Sequence, residues 1–138
     1  LAESAETGLF DSLAHPDLIK NASPEDWNFT LMRPHIEAAL DRIAKTGVAM
    51  EINTSGIHKA YPEMNPGPEM LALMAKRDIP VVIGSDSHTP GRVAENFTLA
   101  LDHLSAAGYS DVSVFRQRRR SDIPIALVRE SLALTNSV

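Results

Sequence analysis

Three short apolar segments, evenly spaced, each run into a residue able to bind metal or move a proton, and they constrain the fold more than anything else in the chain. Phe10-Asp11-Ser12-Leu13-Ala14 leads to His15, Val48-Ala49-Met50 to Glu51 and Asn53, and Pro80-Val81-Val82-Ile83-Gly84 to Asp86 and His88. His15 and Glu51 are 36 positions apart and Glu51 and Asp86 are 35 apart. That interval accommodates one strand, one helix and two loops. Near-continuous apolar runs suit strands covered on both faces, as in parallel sheets. Such sheets gather chemistry at the carboxyl ends of their strands. The spacing therefore predicts an α/β fold of repeated β-α units with His15, Glu51, Asp86 and His88 on one rim.

The intervening sequence fits that alternation. A first strand is expected over Gly8–Ala14. Ser23-Pro24-Glu25-Asp26 reads as a helix start, and a longer helix is expected over Thr30–Thr46, with Ile36, Leu40, Ile43 and Ala44 inward and Gly47 ending it. A second strand spans Val48–Asn53. A helix over Glu69–Arg77 turns Leu71, Met74 and Ala75 inward, and a third strand spans Pro80–Gly84. Thr89-Pro90 should open a helix carrying Val93, Phe97, Leu101 and Leu104, which Gly108 ends. Val112–Phe115 reads as a fourth strand, followed by a basic run at Arg116, Arg118, Arg119 and Arg120. Ile123–Leu134 is a helix or an irregular tail.

The 138 residues suffice for a single domain over 1–138. No apolar run approaches the roughly 18 residues of a membrane span, and no stretch reads as a signal peptide. With no cysteine, disulfides and thiolate metal sites are excluded, which is compatible with the expected cytoplasmic location. The net charge of −5 disfavours nucleic acid as a partner. Walker, dinucleotide-binding and Gly-x-Ser-x-Gly motifs are absent.

Asp86-Ser87-His88 is the sharpest chemical signal. A carboxylate and an imidazole directly after a buried strand suit zinc, manganese or iron, although Asp86 could equally cap a turn. Glu51 lies among apolar residues, where an unpaired carboxylate is costly. It is either held by Asn53 and backbone donors or used at the site. Thr54-Ser55-Gly56 with His58 and Lys59 has the makings of an anion site or of an ordinary polar turn. His35 and His103 read as solvent-facing.

Four segments in order resemble the carboxy-terminal half of the polymerase-and-histidinol-phosphatase (PHP) family, and most of all its histidinol-phosphatase branch. They are Phe10-Asp11 through His15-Pro16-Asp17-Leu18-Ile19-Lys20, Glu51-Ile52-Asn53-Thr54-Ser55-Gly56, Gly84-Ser85-Asp86-Ser87-His88 and Phe115-Arg116-Gln117-Arg118-Arg119. The resemblance implies a distorted seven-stranded TIM-like (β/α) barrel holding two or three divalent metals. It implies metal ligation by His15, Asp86 and His88, and catalysis by Asp86, His88 and Glu51 beside Asn53. A small phosphorylated substrate would be seated by His58, Lys59, Asn53 and Arg116. The family's opening His-x-His and its middle glutamate and histidine ligands have no counterpart, and His58 stands where that branch carries arginine. A closed barrel takes roughly 200–250 residues. The chain is accordingly expected to be part of a longer protein, lacking the N-terminal strands, with open edges that favour homo-oligomers. The implied activity is hydrolysis of a phosphomonoester. Alternatives are a nuclease or nucleotide phosphoesterase of the same family, or an inactive half-barrel serving binding or assembly.

Overall fold

The computed structural model describes residues 1–135. Three parallel strands form its centre: β1 (Ser12–Leu13), β2 (Ala49–Asn53) and β3 (Val81–Gly84), in the order β1-β2-β3. Ser12 pairs with Ala49, and Glu51 and Asn53 lie opposite Val82 and Gly84. Helix α2 (Phe29–Ala44) connects β1 to β2, and α3 (Pro68–Ala75) connects β2 to β3. The predicted β-α alternation is therefore present through three strands.

The core follows the helical and strand periodicities. Leu40 and Ile43 of α2 and Leu71 and Met74 of α3 are buried together with Met50, Ile52 and Val81. Helix α4 (Phe97–Ala107) adds Ala100, Leu101 and Leu104 to the same cluster. Burying one such aliphatic side chain is worth about 1.5–3 kcal/mol. Gly47 ends the α2 segment at φ +72° and Gly108 caps α4 at φ +106°, both in the left-handed region that glycine enters freely.

Several boundaries differ from expectation. The first strand is short: Gly8 to Phe10 lie outside it, and a helix, α1 (Ala2–Glu6), precedes it. Ser23-Pro24 starts no helix. Ser23 accepts from the Asp26 amide in a turn, and α2 begins six residues later, where the Asn28 side chain accepts from the Leu31 amide. Val93 is not on α4. Ala94 and Asn96 adopt φ of +60° and +61°, so helical spacing cannot continue through them, and Val93 is exposed.

The fourth strand does not join the parallel sheet. β4 (Asp111–Arg116) pairs antiparallel with β5 (Arg119–Pro124), which the sequence reads only as a basic run. Gln117 and Arg118 make the turn at φ +50° and +62°. The Arg118 guanidinium donates to Asp11 Oδ1 and to the Gly8 carbonyl, tying the hairpin to the chain leading into β1. α5 (Ile125–Thr135) follows directly, so the last segment is a helix. An apolar cleft of about 630 Å³ lies between the parallel sheet and this unit, lined by residues including Val82, Ile83, Phe97, Val112, Phe115 and Leu127. None of the described helices is long and apolar enough to cross a membrane.

Candidate active site at the strand ends

The carboxyl ends of β1, β2 and β3 bring the expected residues together. His15 follows β1, Glu51 and Asn53 lie in β2, and Asp86 follows β3. His15 and Asp86 adopt φ of +52° and +45°, a left-handed conformation uncommon for residues bearing a Cβ. Strained backbone of this kind concentrates at functional sites.

Glu51 is the inner member of the group. Its Oε2 accepts from the His15 amide at 3.2 Å and from Asn53 Nδ2 at 3.2 Å. Gly84, opposite Asn53 on β3, leaves the space the Glu51 carboxylate occupies, since a Cβ there would collide with Glu51 Oε1. The carboxylate left open by the sequence is thus held by Asn53 and a backbone donor, and it also faces the site: His15 Nδ1 is 3.4 Å away.

Asn53 is fully buried and its orientation is fixed by its other end. Its Oδ1 accepts from the Ser55 amide at 2.9 Å and from Ser55 Oγ at 2.7 Å. Its Nδ2 therefore faces His15 Nδ1 at 3.0 Å as a donor. A neutral His15 in this arrangement carries its proton on Nε2. With the proton on Nδ1 instead, Glu51 is the acceptor, the usual orienting contact of a metal-binding histidine.

Asp86 is the hub of the outer layer. Its Oδ2 is 3.1 Å from Ser55 Oγ, 3.6 Å from Lys59 Nζ and 3.9 Å from His15 Nε2, and its Oδ1 is 3.4 Å from His88 Nε2. Burial pushes the Asp86 carboxyl up, but the Ser55 hydrogen bond and the neighbouring His15, Lys59 and His88 outweigh it and hold the pKa below its ordinary value. Asp86 is thus a carboxylate at neutral pH. The His88 side chain is 85% exposed.

His58 is near the group but turned elsewhere. Its Nε2 lies 3.1 Å from Glu95 Oε2, which also accepts from Arg92 Nε at 2.7 Å. The Arg92 hydrogen bond, and then that of His58, hold the Glu95 carboxyl below its ordinary pKa. Arg116 stands opposite Arg119 on the β4–β5 hairpin, exposed, and no hydrogen bond or ion pair joins it to the group at the strand ends. His35 is exposed on α2 as expected, whereas His103 on α4 is partly covered.

The donor chemistry of the group fits a divalent ion. A carboxylate is flanked by an imidazole nitrogen near each of its oxygens, and a second carboxylate stands behind one imidazole. The number of donors does not reach a full shell: among the described residues no three His, Asp or Glu side chains close on a common point.

No family model matches the chain. Two curated proteins are similar to it, each named "Probable histidinol-phosphatase". The one from Deinococcus radiodurans is 37% identical over 116 residues, covering 84% of this chain and 43% of its own length. The one from Schizosaccharomyces pombe is 27% identical over 110 residues, covering 76% of this chain and 36% of its own. The chain thus has a histidinol-phosphatase-like relationship over most of its sequence and spans less than half of either relative.

Proposed function

We propose that this chain supplies part of the active site of a metal-dependent phosphoesterase of the PHP family, acting on a small phosphomonoester, with histidinol phosphate the favoured substrate. The observation that carries the reading is the placement of a His15 nitrogen and a His88 nitrogen on either oxygen of Asp86 at the carboxyl ends of the parallel sheet, with Glu51 behind His15. Its similarity to two proteins named as histidinol-phosphatases, in Deinococcus radiodurans and Schizosaccharomyces pombe, supports the substrate.

In this reading His15, Asp86 and His88 hold a divalent cation such as manganese, zinc or iron. Bound there, it would act as a Lewis acid toward phosphoryl oxygen and lower the pKa of water. The protein side chains do the rest. Glu51 and Asn53 fix the ring of His15, and Ser55 fixes Asp86. Lys59, 3.6 Å from Asp86, is placed to neutralise a phosphoryl oxygen drawn to the same spot. His58 is a second hydrogen-bond donor for the substrate once it leaves Glu95. If His88 is left off the metal, its exposed imidazole is instead the candidate to protonate the leaving alcohol. A nuclease reading finds little support in the arginine hairpin, where Arg118 pairs with Asp11 and Arg120 with Asp122.

The test is to replace Asp86→Asn and His88→Ala in the full-length protein. Bound metal, by elemental analysis, and phosphate release should fall together. Full metal occupancy in both variants would overturn the ligand assignment. Phosphate release from histidinol phosphate no faster than from a generic aryl phosphate would overturn the substrate and leave the phosphoesterase class standing.

A further inference from the structure

The interior holds one charged cluster that the site chemistry does not use. Lys20 is fully buried. Its ammonium lies 2.9 Å from Asp17 Oδ2, 2.8 Å from Glu63 Oε2 and 2.8 Å from the Met64 carbonyl, so each of its three N–H donors has an acceptor. The Tyr61 ring centroid is 5.5 Å from the same nitrogen. Asp17 is used to capacity as well. Its Oδ1 accepts from Asn65 Nδ2 at 2.8 Å and its Oδ2 from the Gly67 amide at 2.8 Å.

These groups come from two distant parts of the sequence. Asp17 and Lys20 lie on the turn that leaves His15, whereas Glu63 to Gly67 end the long loop after β2. The cluster clamps loop to turn, and the loop is in turn joined to β2. Asn65 and Asn53 exchange both backbone hydrogen bonds, at 2.7 and 3.1 Å. The loop packs without slack. A Cβ at Gly56 would run into the Glu63 carbonyl and the Asn65 side chain, and a Cβ at Gly67 would run into the Glu63 carboxylate. From Asn53 the contacts continue into the site, since its side chain meets His15 Nδ1, Glu51 and Ser55.

We propose that Lys20 is a positioning residue for the strand-end site. By neutralising Asp17 and Glu63 inside the fold it fixes the Asn65 backbone against Asn53. Asn53, pinned at both backbone groups, holds its Nδ2 on His15 Nδ1 and so sets the ring orientation of that histidine and, in the metal-free chain, its Nε2–H tautomer. Lys20 reaches no reacting atom and acts only through Asn53. Its importance for catalysis rests on the reading of His15 and Asp86 as the active site, but its effect on His15 can be measured without activity.

The experiment is long-range ¹H–¹⁵N NMR of the imidazoles in the metal-free chain, with the pH raised until the ring nitrogen shifts no longer change. His15 should appear as the Nε2–H tautomer, because Nδ1 accepts from Asn53. In Lys20→Met, shown folded by its methyl spectrum, the His15 nitrogen shifts should move toward the mixed-tautomer values of exposed His35, while His103 stays unchanged. An unaltered His15 pattern in the folded variant overturns the proposal. If Lys20→Met does not fold, amide hydrogen exchange on the unsubstituted protein decides. The Asn53, Asn65 and Gly67 amides should exchange as one unit with a common protection. Asn53 and Asn65 exchanging independently of Gly67 overturns the proposal. The two readings fail separately, since a His15 shift supports the positioning role whatever a metal titration finds, and an unshifted His15 removes that role even where metal binds.

Discussion

Two glycines show how single residues divide between holding the fold and shaping the site. A Cβ at Gly84 meets only the far end of the Glu51 side chain, which can swing away, whereas a Cβ at Gly56 meets the backbone carbonyl of Glu63. Gly84→Ala should therefore fold, at the low end of the about 1–3 kcal/mol that overpacking costs. It should displace the carboxylate behind His15, lowering metal affinity and phosphate release by roughly 10–100-fold, the usual effect of losing an orienting partner. Gly56→Ala should show the opposite balance, with a clear loss of thermal stability. Thermal denaturation beside isothermal metal titration of both variants checks this, and equal effects on both readouts would refute the division. The sequence made His15, Glu51, Asp86 and His88 legible because each closes a short apolar run. It gave no sign that Ser55 bonds Asp86, that Glu95 and Arg92 hold His58, or that Lys20 joins Asp17 to Glu63. Those partners are 31 to 43 positions apart, apart from local pairs such as Arg92 with Glu95, and only the folded chain brings them together.

The elements were legible where burial imposes a period. α2 and α3 each bury one face and β2 is covered on both, and the positions of these elements and of β1 and β3 follow the apolar pattern to within a few residues. β5 was not, because its residues Arg119-Arg120-Ser121-Asp122 are exposed and paired by polar contacts such as Ser113 Oγ to Asp122 Oδ1 at 2.6 Å. The start of α4 was hidden by left-handed residues at Ala94 and Asn96, of which only asparagine commonly enters that region. One contact between elements carries a pH dependence. The Tyr109 hydroxyl, just after α4, donates to the Ile79 carbonyl at 2.9 Å, ahead of β3. Burial, with a contribution from Asp78, pushes its pKa well up. The unfolded chain ionises Tyr109 from about pH 10, while the folded chain keeps the proton. Above that pH the unfolded state binds fewer protons and stability falls as pH rises. Below it the contribution is fully present. Tyr109→Phe should lose about 0.5–1.5 kcal/mol at neutral pH, the net worth of such a hydrogen bond, and should flatten the decline above pH 10. Chemical denaturation at pH 7 and pH 11 measures both, and parallel pH curves for the two proteins would count against the assignment.

At the scale of the whole molecule, the proposed metal chemistry needs more ligands than the strand ends offer. Among the described residues, Asp86 with His15 and His88 provides donors for a single ion at most, and no three such side chains close on one point. A lone ion held by few ligands binds weakly and leaves its charge poorly placed, whereas phosphoesterases that clamp both attacking and leaving oxygens use two metals about 3.5–4 Å apart. The relatives in Deinococcus radiodurans and Schizosaccharomyces pombe are more than twice as long as the stretch they share with this chain. Among the described residues the outer edges of β1 and β3 carry no further strand of the parallel sheet, and the apolar cleft beside it offers surface that further strands or helices would cover. The proposed phosphatase would therefore draw additional ligands from sequence beyond these 138 residues. The 138-residue chain, assayed with saturating manganese or zinc, should bind less than one ion per chain and release phosphate slowly. A version extended to the length of the relatives should bind two or three ions and turn over faster by orders of magnitude. Equal turnover by the two would mean either that His15, Asp86 and His88 suffice or that the chemistry does not need a second metal, and the multi-metal mechanism would have to be abandoned.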